Sequence, residues 1–145
     1  MPFTMAMKAY SSLILWLEQN LILVHGERVM TVDESILLTI KRLLDIEEDD
    51  DSFDTDVISH INSTFADLAQ LGVGPEEGYI IADDIPTWRD LVGGSKLLTF
   101  VIDYVYLSVK LVFDPPQSSA LIASMEKRIE KLEWRISTAV DTAKS

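Results

Sequence analysis

Pro115 and Pro116 decide the architecture of the C-terminal half of this chain. A proline pair cannot continue a helix, and the residue before a proline is pushed out of the helical region. Upstream, Leu97 to Phe113 is apolar on every face, through Leu97, Leu98, Phe100, Val101, Ile102, Val105, Leu107, Val109, Leu111 and Val112. A helix that is hydrophobic all round belongs at the centre of other elements. A membrane span is the poorer account, because Asp103 and Lys110 interrupt a stretch of only 17 residues. Downstream, Ser118 or Ser119 is the expected cap of a final helix. Along it Ile122, Met125, Ile129, Leu132, Ile136 and Ala139 alternate three and four apart, which is a coiled-coil seam. Glu126, Lys127, Arg128, Glu130, Lys131, Glu133 and Arg135 lie off the seam, as candidates for ion pairs that select a partner. The seam is short, and suits packing within a bundle or between subunits. Asp114, Pro115 and Pro116 form a structural turn, with the Asp114 carboxylate expected to cap backbone amides there.

The middle of the chain continues the helical pattern. Asp33 or Thr31 is expected to cap a first helix whose stripe is Ile36, Leu37, Ile40, Leu43 and Leu44. Asp54 or Thr55 opens a second to Leu71, burying Val57, Ile58, Ile61, Phe65 and Leu68, with His60 at the stripe's edge and Gly72 as the stop. Gly72-Val73-Gly74-Pro75 follows a helix and ends in proline, so it is not a phosphate-binding loop. Tyr79-Ile80-Ile81 is expected to be a short extended piece. Asp83 to Trp88 then reads as a cap, a proline in a first turn, and a short helix to Val92, followed by a break at Gly93-Gly94. The fold class expected is all-α, a small bundle of about four main helices. Its long central helix is apolar and its C-terminal helix carries the heptads.

Charge narrows the function. The net charge is −12, and residues 1–29 contribute nothing to it, since Lys8 and Arg28 balance Glu18 and Glu27. Residues 30–145 carry 22 acidic side chains against 10 basic ones. Such a surface repels phosphate backbones and gains nothing from counterion release, which argues against a dedicated nucleic-acid binder. A conduit that lets DNA pass without gripping it fits. Glu47, Glu48, Asp49, Asp50 and Asp51 lie in one run. Counted from Asp49 or Asp51, the run lacks the glycine and glutamate of an EF-hand, so it reads as a solvated loop that caps the next helix.

Residues 1–29 differ in character from the rest. Leu13, Ile14, Leu17, Leu21 and Val24 fall near helical spacing, which predicts an amphipathic arm. A signal peptide lacks its cations and its cleavage site, and a membrane anchor is interrupted by Glu18, Gln19 and Asn20. His25 to Val29 back-translates to a ribosome-binding sequence just before the codon of Met30. Met30 is therefore a candidate initiator, 1–29 an arm or an untranslated leader, and 30–145 the helical domain.

Signatures of chemistry are missing. There is no nucleophile elbow, P-loop, histidine-anchored triad or HExxH, and the chain has no cysteine and only His25 and His60. Neither an enzymatic reaction, a metal nor a cofactor is expected.

In the order of their elements, residues 30–141 resemble the head–tail connector family of tailed bacteriophages and prophages, also called adaptor or head-completion proteins. The resemblance rests on Thr31-Val32-Asp33-Glu34-Ser35-Ile36-Leu37-Leu38-Thr39-Ile40-Lys41, an acidic loop and second helix, and Trp88-Arg89-Asp90-Leu91. The most specific pieces are Phe113-Asp114-Pro115-Pro116 and Leu132-Glu133-Trp134-Arg135. It implies a non-enzymatic α-helical subunit without cofactor, assembling from the host cytoplasm into a virion neck. Such subunits form a homo-oligomeric ring, commonly a dodecamer, beneath the portal protein. The ring extends the channel for double-stranded DNA, with Glu47, Glu48, Asp49, Asp50 and Asp51 as candidate channel-facing acids, and presents a surface to the next neck or tail-completion protein, with no membrane involved. Candidate contacts are Trp88, Tyr104, Trp134 and Arg135. Trp88 reads most simply as a core anchor under the short helix, while Trp134 reads equally as a cover for the bundle end and Arg135 as the partner of a local acid. Two rival readings stand beside this one. The first is an acidic interaction module of antitoxin or regulator type that binds a basic partner, and the second a small protein anchored to a membrane by residues 1–24.

Overall fold

The structure, a computed structural model, describes residues 23–25, 28–94 and 96–144, the backbone alone for those before Thr31. Two compact units divide the chain, residues 1–31 and 32–145. In the first, β1 (Leu23–His25) and β2 (Arg28–Met30) pair antiparallel, with Val24 opposite Val29. This hairpin was not anticipated: Val24 falls in a strand where an apolar arm of helical spacing was expected. The arm's other residues, Leu13 to Leu21, lie outside the described residues.

The second unit is all-α: α1 (Ile36–Leu43), α2 (Asp54–Gln70), α3 (Trp88–Val92), α4 (Leu98–Phe113) and α5 (Ser119–Lys144). α4 is the centre, packed between α2 and α5 and touching α1. Its inward face is Leu98, Val101, Ile102, Tyr104, Val105 and Val109, all buried. The α1 stripe is buried in full, and α2 buries Val57, Ile61, Phe65 and Leu68, leaving Ile58 half-covered. No helix of the described residues is long and apolar enough to cross a membrane.

Helix ends show where local pattern and tertiary structure part. Ser35, rather than Asp33 or Thr31, caps α1, its Oγ accepting from the Leu38 amide at 3.3 Å. α1 and α2 both stop in Schellman motifs. In the first, the Ile46 amide donates to the Lys41 carbonyl and that of Asp45 to Arg42. In the second, Val73 donates to Leu68 and Gly72 to Ala69. Gly72 takes φ +93°, and a Cβ there would meet Val140 Cγ1 of α5 at 2.8 Å, so glycine is needed on both counts. Asp45 holds φ 61° with a side chain, which strains that turn. Pro86 lies just before the α3 cap, Thr87, rather than in the first turn; its carbonyl accepts from the Ile36 amide.

Tyr79-Ile80-Ile81 forms no strand. The Asn62 side chain takes the place of a partner strand, donating to the Ile81 carbonyl at 2.9 Å and accepting from its amide at 2.8 Å. One backbone residue is thereby satisfied on both sides without a ladder.

Candidate assembly surface

The Trp88-Arg89-Asp90-Leu91 turn is a brace. Trp88 is completely buried, and its indole N–H donates to Thr39 Oγ1 at 3.1 Å, while Thr39 in turn donates to the Ser35 carbonyl. The Trp88 and Arg89 amides, at the start of α3 where no intrahelical acceptor exists, donate to the Glu34 and Val32 carbonyls. The Arg89 guanidinium grips Asp33 at 2.7 and 3.3 Å and holds its carboxyl below the ordinary carboxylate range. Asp90 closes a capping box with Thr87, and Leu91 is buried. Trp88 is thus a core anchor locking the lead-in of α1 onto α3. As a surface contact it is corrected, since no part of it reaches solvent.

The acidic loop is built around Lys41, which sequence reasoning missed. Its side chain is 1% exposed. Its Nζ donates to the backbone carbonyls of Glu48 (3.1 Å) and Asp50 (2.8 Å) and lies 2.8 Å from the Asp54 carboxylate. Burying an ammonium is tolerable only with partners of this kind. Arg42 bridges Glu34 and Glu48, each at 3.0 Å, and the Asp50 carboxylate accepts from Ser52. Glu47, Glu48, Asp49 and Asp51 remain exposed and Asp50 half-exposed, on a loop shaped from within. Two signals were available. Lys41 borders the apolar stripe of α1, and it is one of two cations just before five acids in a row.

α4 and α5 form an antiparallel hairpin turned by Asp114-Pro115-Pro116. Ser118 caps α5. The Asp114 carboxylate does not cap amides as expected; it pairs with Lys110, one turn back, at 2.7 Å. The expected seam faces α4, yet coverage is uneven along it. Leu132 and Ile136 are fully buried, joined by Val140, whereas Ile122, Met125 and Ile129 are only half-covered. Tyr104 is buried, so it too is corrected as a surface contact. Its hydroxyl donates to Glu133 Oε1 at 3.0 Å, and burial first, then that bond and the charges of Glu133 and Asp67, push the phenol well above its ordinary value. Arg128 reaches Asp103 at 3.4 Å. Arg135 pairs with no acid among the described residues; its guanidinium lies 5.8 Å over the Phe100 ring.

Of the four candidate contacts, Trp134 and Arg135 face solvent, Trp134 with 68% of its surface. It does not cover the bundle end. Four more large apolar side chains are mostly exposed: Val112 (64%) and Leu121 (51%) beside the turn, and Ile80 (76%) and Ile85 (77%) in the 72–87 loop. Among the described residues no cluster of histidine and carboxylate groups could hold a metal ion. The arrangement offers exposed apolar groups that could serve as docking surfaces.

Residues 36–143 match the family model described as Phage connector protein. The match spans α1 to α5 and includes every helix described above. The chain belongs to the phage connector protein family. No curated protein and no solved structure matches it. Membership makes this connector a structural component of the phage head–tail junction, in contact with head and tail components, from a family that is generally non-enzymatic.

Proposed function

We propose that this connector assembles as a ring beneath the portal of the filled head, extends the DNA channel, and presents a surface to the next neck or tail-completion protein. The observation that carries this reading is the incomplete covering of the α4–α5 hairpin. Val112, Leu121 and Trp134 stand exposed while Ile122, Met125 and Ile129 are half-covered. Exposed aromatic and aliphatic groups of this kind, rimmed by charge, mark protein interfaces. The net charge of −12 supports a passage that DNA traverses without sticking. Glu47 to Asp51, repeated around the axis, serve as the lumen or its rim, and their loop keeps its shape through Lys41.

The test is assembly, by sedimentation velocity or mass photometry, of the connector alone and with its portal. Trp134→Ala is expected to lose assembly while its melting midpoint stays within about a degree, because the ring exposed today contributes little to the fold. Monomers alone at high concentration with portal present would remove the ring. A ring with the 47–51 loop on its outer circumference would remove the lumen assignment and leave the rest standing.

A further inference from the structure

A ring needs two different faces on each subunit, because a head-to-tail contact joins unlike patches and closes only through rotation. We propose that one of these faces is the outward stripe of α5, formed by Lys127, Lys131 and Trp134. It seats on the 76–85 loop of a second copy, with Trp134 against Ile80 and Ile85 and the lysines facing Glu77 and Asp84. The proposal rests on the ring reading above and names the surfaces that make it.

Positions 127, 131 and 134 are spaced four and three apart and share one face, opposite Leu132, Ile136 and Val140. All three are exposed. Lys127 and Lys131 have no ion pair among the described residues, whereas Arg128 and Arg135 are spent on Asp103 and Phe100 of the same hairpin. Charge then selects the occupant. Residues 119–145 hold five cations against four acids, whereas residues 30–118 hold five against eighteen. α5 is therefore the stretch to which the remainder of another copy is electrostatically attracted, and that remainder repels itself.

Two acidic loops compete for the stripe, and geometry separates them. In the 47–51 loop Glu48 is paired with Arg42 and Asp50 with Ser52; Glu47, Asp49 and Asp51 are exposed, but the flanking apolar groups are Ile46, half-covered, and Phe53, engaged edge-on with Phe113 at 5.7 Å. The 76–85 loop has Glu77 and Asp84 exposed without a partner among the described residues, and Ile80 and Ile85 about three-quarters exposed. It is also held in place: Val73 is buried, Asn62 clamps Ile81, and Pro86 accepts from Ile36. An anchor that enters a preformed site gives up little conformational entropy on both sides.

The chain has no cysteine, which makes cross-linking clean. Thr138→Cys places a thiol one turn beyond Trp134 on the same face, and Asp84→Cys places one in the loop. Mixed with a flexible bis-maleimide, the two proteins are expected to give a cross-link between unlike chains. Lys127→Glu with Lys131→Glu, and separately Glu77→Lys with Asp84→Lys, should each weaken assembly by at least about tenfold at low salt. All four substitutions in one chain should restore it. Circular dichroism melts of every variant separate misfolding from lost contact. Cross-links only between identical Thr138→Cys chains, or unimpaired assembly of the reversed variants, would overturn the pairing while leaving the ring intact. A wild-type connector that stays monomeric with portal would instead overturn the ring, and this interface with it.

Discussion

Lys41 has three partners, the Glu48 and Asp50 carbonyls and the Asp54 carboxylate, and their kind sets its importance. Two of its three acceptors are backbone carbonyls, which no other side chain would satisfy if the ammonium were removed. Lys41→Met keeps most of the volume and strands those groups beside the Asp54 carboxylate. We expect a loss of about 2–4 kcal/mol, read by denaturant melts, with amide exchange rising across 46–53 ahead of the core. Tyr104 makes a different prediction, in pH. Its folded-state value is raised by burial and by Glu133, so its contribution is complete below the ordinary phenol value of 10.0 and is lost as pH climbs beyond it. Tyr104→Phe should cost about 1 kcal/mol at neutral pH and flatten the alkaline decline of the melting midpoint. Neither residue's role was legible in the sequence. Lys41 stood in the opening motif without a stated role, and Tyr104 was taken as a surface contact. What a lysine or tyrosine touches depends on elements far along the chain, and local pattern does not carry that.

Helices were far more legible, because periodicity reports burial directly. The patterns of α2 and α4 placed both ends of each to within a residue, whereas α1 stops at Leu43, short of the acidic run expected to break it, and α5 runs to Lys144, past the last seam residue, Ala139. The ends were read less well where a distant partner had claimed the local candidate. Asp33 looked like the α1 cap, but Arg89, 56 residues on, holds its carboxylate, and Ser35 does the capping. Tyr79-Ile80-Ile81 had strand character, yet the group that satisfies Ile81 is a side chain on α2. The seam of α5 also hid a gradient that spacing alone does not reveal. Leu132→Ala, at a site with no exposure, is expected to cost about 2–4 kcal/mol in a denaturant melt. Ile129→Ala, one turn earlier and half-covered, should cost less than half as much.

At the scale of the whole connector, the chain separates into two compact units at Thr31 and Val32, and every helix of the family match falls in the second. A chain that begins at Met30 is therefore expected to unfold in a single transition, its midpoint within about two degrees of the full-length value by calorimetry. The resemblance in the sequence pointed to the family without pointing to the surfaces, since exposure of Trp134, Ile80 and Ile85 follows from packing rather than from residue type. One feature of the acidic loop reaches beyond this molecule. Lys41 holds it by main-chain oxygens, which every amino acid supplies, so on that side its outline does not depend on the side chains at 47 and 49, while Glu48 adds its own tie to Arg42. Descendants of this gene can redecorate that loop, gaining or shedding carboxylates at 47 and 49, and inherit the same contour each time.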